Sequence, residues 1–209
     1  MRATVREVET PGGPGRAHVR RPPRARGTVV LSHGAGGGVG SLDLVLAAEV
    51  LVGRGWAVAL VEQPWLVAGR RVAGPPATLD AAWVPIVEAL LAGRGRLPRP
   101  LVVGGRSAGA RVACRTAARL EADGGLLLSF PLHPPGRPER LRSAELALAP
   151  APTAIIQGTK DPFGTPAELA AYIAVGTTVH GVQGTHSFPP SSEPELRAAL
   201  DRVAGMLPG

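Results

Sequence analysis

The chain has 209 residues, 44% of them apolar, with 23 basic and 16 acidic side chains and a formal charge of +7. Domains run to about 100–200 residues, so a single domain is expected, able to bury about 70% of its unfolded surface without a staple. A charged fraction of 19% beside that apolar content excludes a disordered chain, and the lone cysteine, Cys114, excludes an intramolecular disulfide and a multi-cysteine metal cluster.

In chain order, residues 1–26 form a leading segment in which Thr4–Val8 and Ala17–Val19 are an antiparallel pair at one sheet edge. Gly27–His33 is a continuous apolar run, as in a strand buried on both faces. A glycine-rich turn leads to a helix over Leu42–Arg54, whose apolar residues recur at helical spacing before Gly55. Trp56–Val61 is a second buried strand, and residues 63–77, with Pro64, Gly69, Gly74, Pro75 and Pro76, form a loop that helps shape a site. Thr78–Leu91 is a helix, Leu101–Val103 a strand, Ser107–Leu120 a helix and Leu126–Leu128 a strand. A turn-rich segment, Pro131–Pro138, precedes a short helix over Glu139–Leu148. Ala154–Ile156 is a strand, Pro166–Ala174 a helix with Thr165 as N-cap, Thr177–Val182 the last strand and Pro194–Met206 the last helix. Such alternation predicts an α/β class, a mostly parallel sheet with helices on both faces, in one domain over 1–209.

The +7 charge invites a nucleic-acid reading, but its distribution argues otherwise. Lys160 is the single lysine among the basic residues, so arginine accounts for the rest, against a background of 28 Gly and 22 Pro that points to coding bias. The one arginine-rich run, Arg16 to Arg26, carries no aromatic residue on which a base could stack, and no nucleic-acid partner is expected. Met1–Gly27 has no apolar core of a signal peptide, and the longest apolar stretch, Leu44–Val52, contains Glu49 and falls short of the ~20 residues of a transmembrane helix. The expectation is a cytoplasmic protein.

Three segments carry chemistry, each just past the C-terminal end of a strand, where such a sheet presents ligands. Gly105-Arg-Ser107-Ala-Gly109 lies between a strand and a helix. A sharp strand-to-helix turn strains the backbone at its apex, small flanking residues relieve the clash, and the serine hydroxyl stands exposed. The helix start offers the N–H of Ala108 to a developing oxyanion. In Leu31-Ser-His-Gly-Ala-Gly-Gly-Gly38 the small residues let the backbone approach a carbonyl, with the N–H of Ala35 as second donor and His33 orienting the loop. Neither phosphate-loop pattern, G-x-G-x-x-G or G-x-x-x-x-G-K-[ST], occurs there. Asp161, in Gln157–Gly164, and His186, in Gly184–Phe188, complete the order Ser, Asp, His required by an elbow nucleophile. Ser107 would yield its proton to His186, and Asp161 would fix the imidazole tautomer and stabilise the imidazolium.

His18, His133 and His180 read as surface or packed imidazoles, and Asp80, Asp123 and Asp201 as caps or solvated charges. Cys114, two turns after Ser107, reads as a small buried apolar residue. No histidine–carboxylate cluster has metal-ligand spacing, so neither metal nor other cofactor is expected.

The elbow, the His-Gly-Ala-Gly loop and the Asp and His segments resemble the α/β-hydrolase superfamily. Gly-Gly-Arg-Ser-Ala-Gly-Ala-Arg, Phe-Pro-Leu-His-Pro-Pro-Gly and Gly-Thr-Lys-Asp-Pro-Phe-Gly are similar to one branch of it. That branch is the small hydrolase-like domain of many bacterial proteins, of the testis-expressed protein thirty and of the third subunit of the non-specific-lethal complex, with dienelactone-hydrolase-like proteins nearby. The resemblance covers residues 27–207 and implies the triad Ser107, Asp161 and His186; it supplies no substrate.

About 20 residues separate the strand ending near Phe130 from the one beginning near Ala154, which leaves room for little more than one short helix and no lid. With 3% aromatics to line it, an open site fits small soluble acyl esters, thioesters or short peptides better than long acyl chains. Arg106, Arg70 and Arg71 are candidate contacts for an anionic substrate group. Alternatively Arg106 packs under the elbow and the other two are solvated. The expected function is a serine hydrolase forming an acyl-enzyme; the alternative is a catalytically idle interaction domain on the same fold.

Overall fold

A strand without polar alternation must be covered on both faces, and the sheet is built accordingly. The structure is a computed structural model describing residues 3–208. Met1, Arg2 and Gly209, which the reading of one domain over 1–209 takes in, lie outside the described residues. The strands are β1 (Thr4–Thr10), β2 (Gly13–Arg20), β3 (Thr28–Ser32), β4 (Ala57–Glu62), β5 (Leu101–Arg106), β6 (Gly124–Leu128), β7 (Thr153–Gly158) and β8 (Thr177–Val182). They form one sheet in the order β1-β2-β4-β3-β5-β6-β7-β8. The pairs β1–β2 and β2–β4 are antiparallel and the other neighbours parallel.

The apolar run of β3 divides between two cores: Val29 and Leu31 face one layer and Val30 the other. On the first layer α1 (Leu42–Gly53) and α7 (Glu193–Ala204) bring Leu44, Leu51, Leu196, Leu200 and Val203 against the sheet. On the second, α3 (Pro76–Leu91) and α4 (Ala108–Thr116) bring Leu79, Trp83, Val112 and Ala113. The edge strand β1 keeps the alternating exposure of a half-covered strand over Val5–Thr10, and β8 is partly exposed along most of its length.

The chain passes from β3 to β4 on one side and then to β5 on the other. The crevice outside the carboxyl ends of β3 and β5 is therefore the switch point where such sheets bind ligands. Register makes the two ends coincide, with Ser32 opposite Gly105. The His33 loop and Ser107 thus meet side by side.

The expected elements are present with shifted ends. The loop 63–77 contains a helical turn, α2 (Pro64–Val67), with Pro64 pre-set in its first position. The helix after Ser107 ends at Thr116, where the Ala117 N–H bonds back to the Cys114 carbonyl in a tightened turn. The helix expected over 139–148 contracts to α5 (Ser143–Leu146), because the Arg142 N–H is held by the Leu132 carbonyl. Thr165 caps α6 (Pro166–Ala170) in a capping box with Glu168. Between Leu128 and Thr153 the chain forms one four-residue helix and no lid. No helix among the described residues is long and apolar enough to cross a membrane.

Candidate active site

Ser107 stands between β5 and α4 with φ 52° and ψ −109°, a conformation that costs a non-glycine residue on the order of 1–3 kcal/mol. The surrounding backbone enforces it. A Cβ at Gly105 would lie 2.3 Å from the Ser32 carbonyl oxygen, and one at Gly109 2.4 Å from the same atom. Only glycine allows β5 and the first turn of α4 to close on the end of β3. The Ser107 N–H is held by the Leu128 carbonyl at 2.9 Å, which ties the elbow to β6 as well.

The Ser107 hydroxyl lies 2.8 Å from His186 Nε2, and His186 Nδ1 lies 2.9 Å from Asp161 Oδ2. These distances place the proton on Nδ1, donated to the carboxylate, and leave Nε2 free to accept from the serine. Asp161 is buried and accepts from the Phe163 N–H at 2.8 Å and from Gln157 Nε2 at 2.8 Å. Gln157 Nε2 also faces the carbonyls of Phe130 and Gly164, at 3.2 and 2.7 Å, so the amide that orients the carboxylate is itself fixed. The Phe163 ring packs on the imidazole with centroids 4.1 Å apart. The three residues named from sequence therefore meet, although 79 positions separate Ser107 from His186.

Ala35 and Ala108 line one small cavity together with Ser32, His33 and Gly109. Ala108 is the first residue of α4, so its N–H has no intrahelical acceptor. His33 is the loop-orienting residue expected: Nδ1 donates to the Gly34 carbonyl at 2.9 Å and Nε2 accepts from the Gln63 N–H at 3.1 Å. Burial holds its pKa below the ordinary histidine value, so the ring is neutral and ties the end of β3 to the end of β4.

Arg106 follows the second of its two readings, packing under the elbow. Its Nε is 3.1 Å from Asp43 Oδ2, and its terminal nitrogen donates to the His186 carbonyl at 2.8 Å and to Ser187 Oγ at 2.6 Å. With a side chain 11% exposed and its Nε and one terminal nitrogen directed at protein groups, it holds the loop bearing His186. Arg70 and Arg71 are exposed, and Arg70 lines a cavity of about 140 Å³ with Trp65, Thr78 and Gln63.

The remaining histidines are elsewhere: His18 pairs with Glu62, His133 with Glu168, and His180 contacts Thr178 on the edge strand β8. Asp123 holds the Leu101 N–H and Asp201 holds Arg54. Asp80 departs from the reading as a cap or solvated charge. It forms a two-point pair with Arg115, at 2.8 and 2.6 Å, and Arg115 and Arg111 both hold Glu145 on α5. Cys114 is buried, and burial foremost pushes its thiol up to about 12, as fits an inert apolar residue. Among the described residues no group of three or more His, Cys, Asp or Glu could hold a metal ion.

Asp43, Gln157, Phe163 and Gln63 were not singled out by sequence reasoning. Asp43 has the signature of any acidic residue in a first helical turn. Gln157, a polar residue ending the run Ala-Ile-Ile, did leave a signal, since a buried amide at a strand's C-terminal end must satisfy something.

A serine elbow on β5, small-residue loops at the switch point and an Asp and His from the β7 and β8 ends define an α/β-hydrolase architecture. Residues 25–205 match the family described as alpha/beta hydrolase domain, and the chain belongs to that family. No curated protein matches it. Among solved structures it is similar to an α/β serine hydrolase without lid from Xanthomonas campestris, at 22% identity and TM-score 0.74 over 100% of this chain and 97% of that one. An α/β serine hydrolase homologue from Coxiella burnetii matches at 16% identity and TM-score 0.79, covering 97% and 98%. Est1E from Butyrivibrio proteoclasticus matches at 14% identity and TM-score 0.75, covering 97% and 98%. At these identities the likeness is one of fold.

Proposed function

We propose that the protein is a serine hydrolase that cleaves small soluble esters or thioesters through an acyl-enzyme on Ser107. The observation that carries this reading is the continuous relay from Ser107 Oγ through His186 to Asp161, at 2.8 and 2.9 Å, on a strained elbow. In the first half-reaction Ser107 Oγ attacks the carbonyl carbon while its proton passes to His186 Nε2. The N–H groups of Ala35 and Ala108 hold the oxyanion, and the imidazolium, stabilised by Asp161, returns the proton to the leaving group. Water then attacks the acyl-enzyme by the same path, giving up its proton to His186 and releasing the acid.

The absence of a lid between β6 and β7 supports a soluble substrate over a lipid aggregate. The neighbour named as lacking a lid and the one named Est1E are in keeping with this, as is an esterase from an Arctic intertidal metagenomic library, 18% identical with TM-score 0.73. Arg70 and Arg71 are the arginines this reading keeps as contacts for an anionic substrate group. Placement in the branch of the testis-expressed protein thirty rests on the three quoted motifs.

The test is pre-steady-state hydrolysis of p-nitrophenyl acetate. The reading expects a burst approaching one nitrophenolate per folded chain, absent in Ser107→Ala. A folded wild type with no turnover contradicts it.

A further inference from the structure

At the end of the sheet opposite Ser107, an open cavity of about 560 Å³ lies where the turn after α3 leads into β5. Its walls are Arg21, Leu91, Arg96, Leu97, Pro98 and Arg99, three arginines and three apolar residues with no carboxylate and no aromatic ring. The turn is pinned in place: the Leu97 N–H donates to the Leu90 carbonyl at 2.9 Å, and Thr28 Oγ1 donates to the Pro98 carbonyl at 2.6 Å.

Two cations reach one atom of this turn. Arg6 Nη2 donates to the Gly95 carbonyl at 3.0 Å and Arg21 Nη1 at 3.4 Å, and the same Arg21 nitrogen meets the Arg96 carbonyl at 3.0 Å. Each guanidinium spends one nitrogen on the backbone and keeps its other donors. Among the described residues, Arg6, Arg21 and Arg96 form no ion pair with Asp or Glu. Arg99 differs, being held by Asp123 at 3.2 Å and by the Leu120 carbonyl at 3.0 Å. Three uncompensated positive charges, from β1, from the end of β2 and from the turn itself, therefore gather at one place. Their mutual repulsion is relieved by an anion standing among them.

We propose that this cavity binds a short linear phosphate chain. The planar fork of arginine pairs with two phosphate oxygens at once. Donors arriving from separate segments match a ligand charged at several successive positions, which a single carboxylate is not. With no aromatic ring on the wall a base has no platform to stack on, so the phosphate chain is the part recognised. The site lies at the far end of β5 from the elbow, and it stands or falls apart from the hydrolase reading.

Isothermal titration with sodium tripolyphosphate tests this at about 0.15 M salt, where exposed charges more than about 8 Å apart are largely screened. Wild type is expected to bind one tripolyphosphate per chain. Arg21→Gln and Arg96→Gln are each expected to weaken that binding by about 10-fold. Arg137→Gln, which removes the same charge from an exposed position outside the cavity, should leave it unchanged. Circular dichroism checks that the variants fold, all three side chains being exposed. No binding by folded wild type, or equal weakening in all three variants, overturns the proposal. So does binding of a DNA duplex or of phosphoinositide vesicles through Arg21 and Arg96 without binding of free tripolyphosphate, which would assign these arginines to a nucleic-acid or membrane contact.

Discussion

The two halves of the candidate site are held in different ways. The nucleophile half lies over the central strands β3 and β5 and is fixed by backbone: hydrogen-bonded register, a positive φ at Ser107, and two glycines pressed on the Ser32 carbonyl. The acid–base half lies beyond β7 and the edge strand β8 and is fixed by side chains: Gln157 on Asp161, Phe163 under His186, and the Asp43–Arg106 clamp on the His186 carbonyl. Damage to the first half should therefore be all-or-none, and damage to the second graded.

Ser107→Ala is expected to lower kcat/KM by at least about 10⁴-fold with the fold intact, measured by circular dichroism beside ester turnover. Gly109→Ala should instead abolish soluble protein or its cooperative melting, since backbone cannot yield to a contact of 2.4 Å. In the second half, Arg106→Met should lower kcat by about 10–100-fold with KM nearly unchanged, because a displaced imidazole slows chemistry without touching the bound substrate. Arg106→Lys should restore part of that loss. A rise in KM at constant kcat would return Arg106 to the substrate and break the contrast.

Smaller effects lie outside both halves. Burial raises the pKa of Glu145, but Arg111 and Arg115 more than offset this and leave it below the ordinary carboxylate value. Its contribution to stability is therefore present above its unfolded pKa and lost as pH falls through the folded one. Glu145→Ala is expected to cost about 1–2 kcal/mol and to lower Tm by about 2–8 °C, with kcat per folded chain preserved. The neutral His33 acts in the same pH direction for a different reason. Its lowered folded pKa means that the unfolded chain binds the extra proton, so its contribution is complete above about pH 6.5 and lost on acidification towards the folded value. His33→Asn should flatten the denaturant-derived stability slope below pH 6.5, by at most about 1.4 kcal/mol per pH unit.

The same contrast decided what the sequence revealed. Ser107 was legible because its constraint is local: a strand, a five-residue turn and a helix are written in consecutive residues. Asp161 and His186 were legible by order and by position after strands. The parts that hold them were not, since Arg106 reaches Asp43 and His186 across 63 and 80 positions and no spacing rule encodes that. Helix ends at Thr116 and in α5 escaped as well, as they follow single backbone bonds, from the Ala117 N–H to the Cys114 carbonyl and from the Arg142 N–H to the Leu132 carbonyl. Ion pairs such as Arg115 with Asp80 and Arg54 with Asp201 occupy part of the 23 basic side chains and leave the net +7 unchanged.

An activated serine at position 107 is revealed by a fluorophosphonate probe followed by peptide mass spectrometry. One adduct is expected, on Ser107, formed by wild type, slowed in His186→Ala and absent in Ser107→Ala. Folded wild type that takes up no probe, or takes it up equally in Ser107→Ala, would contradict it.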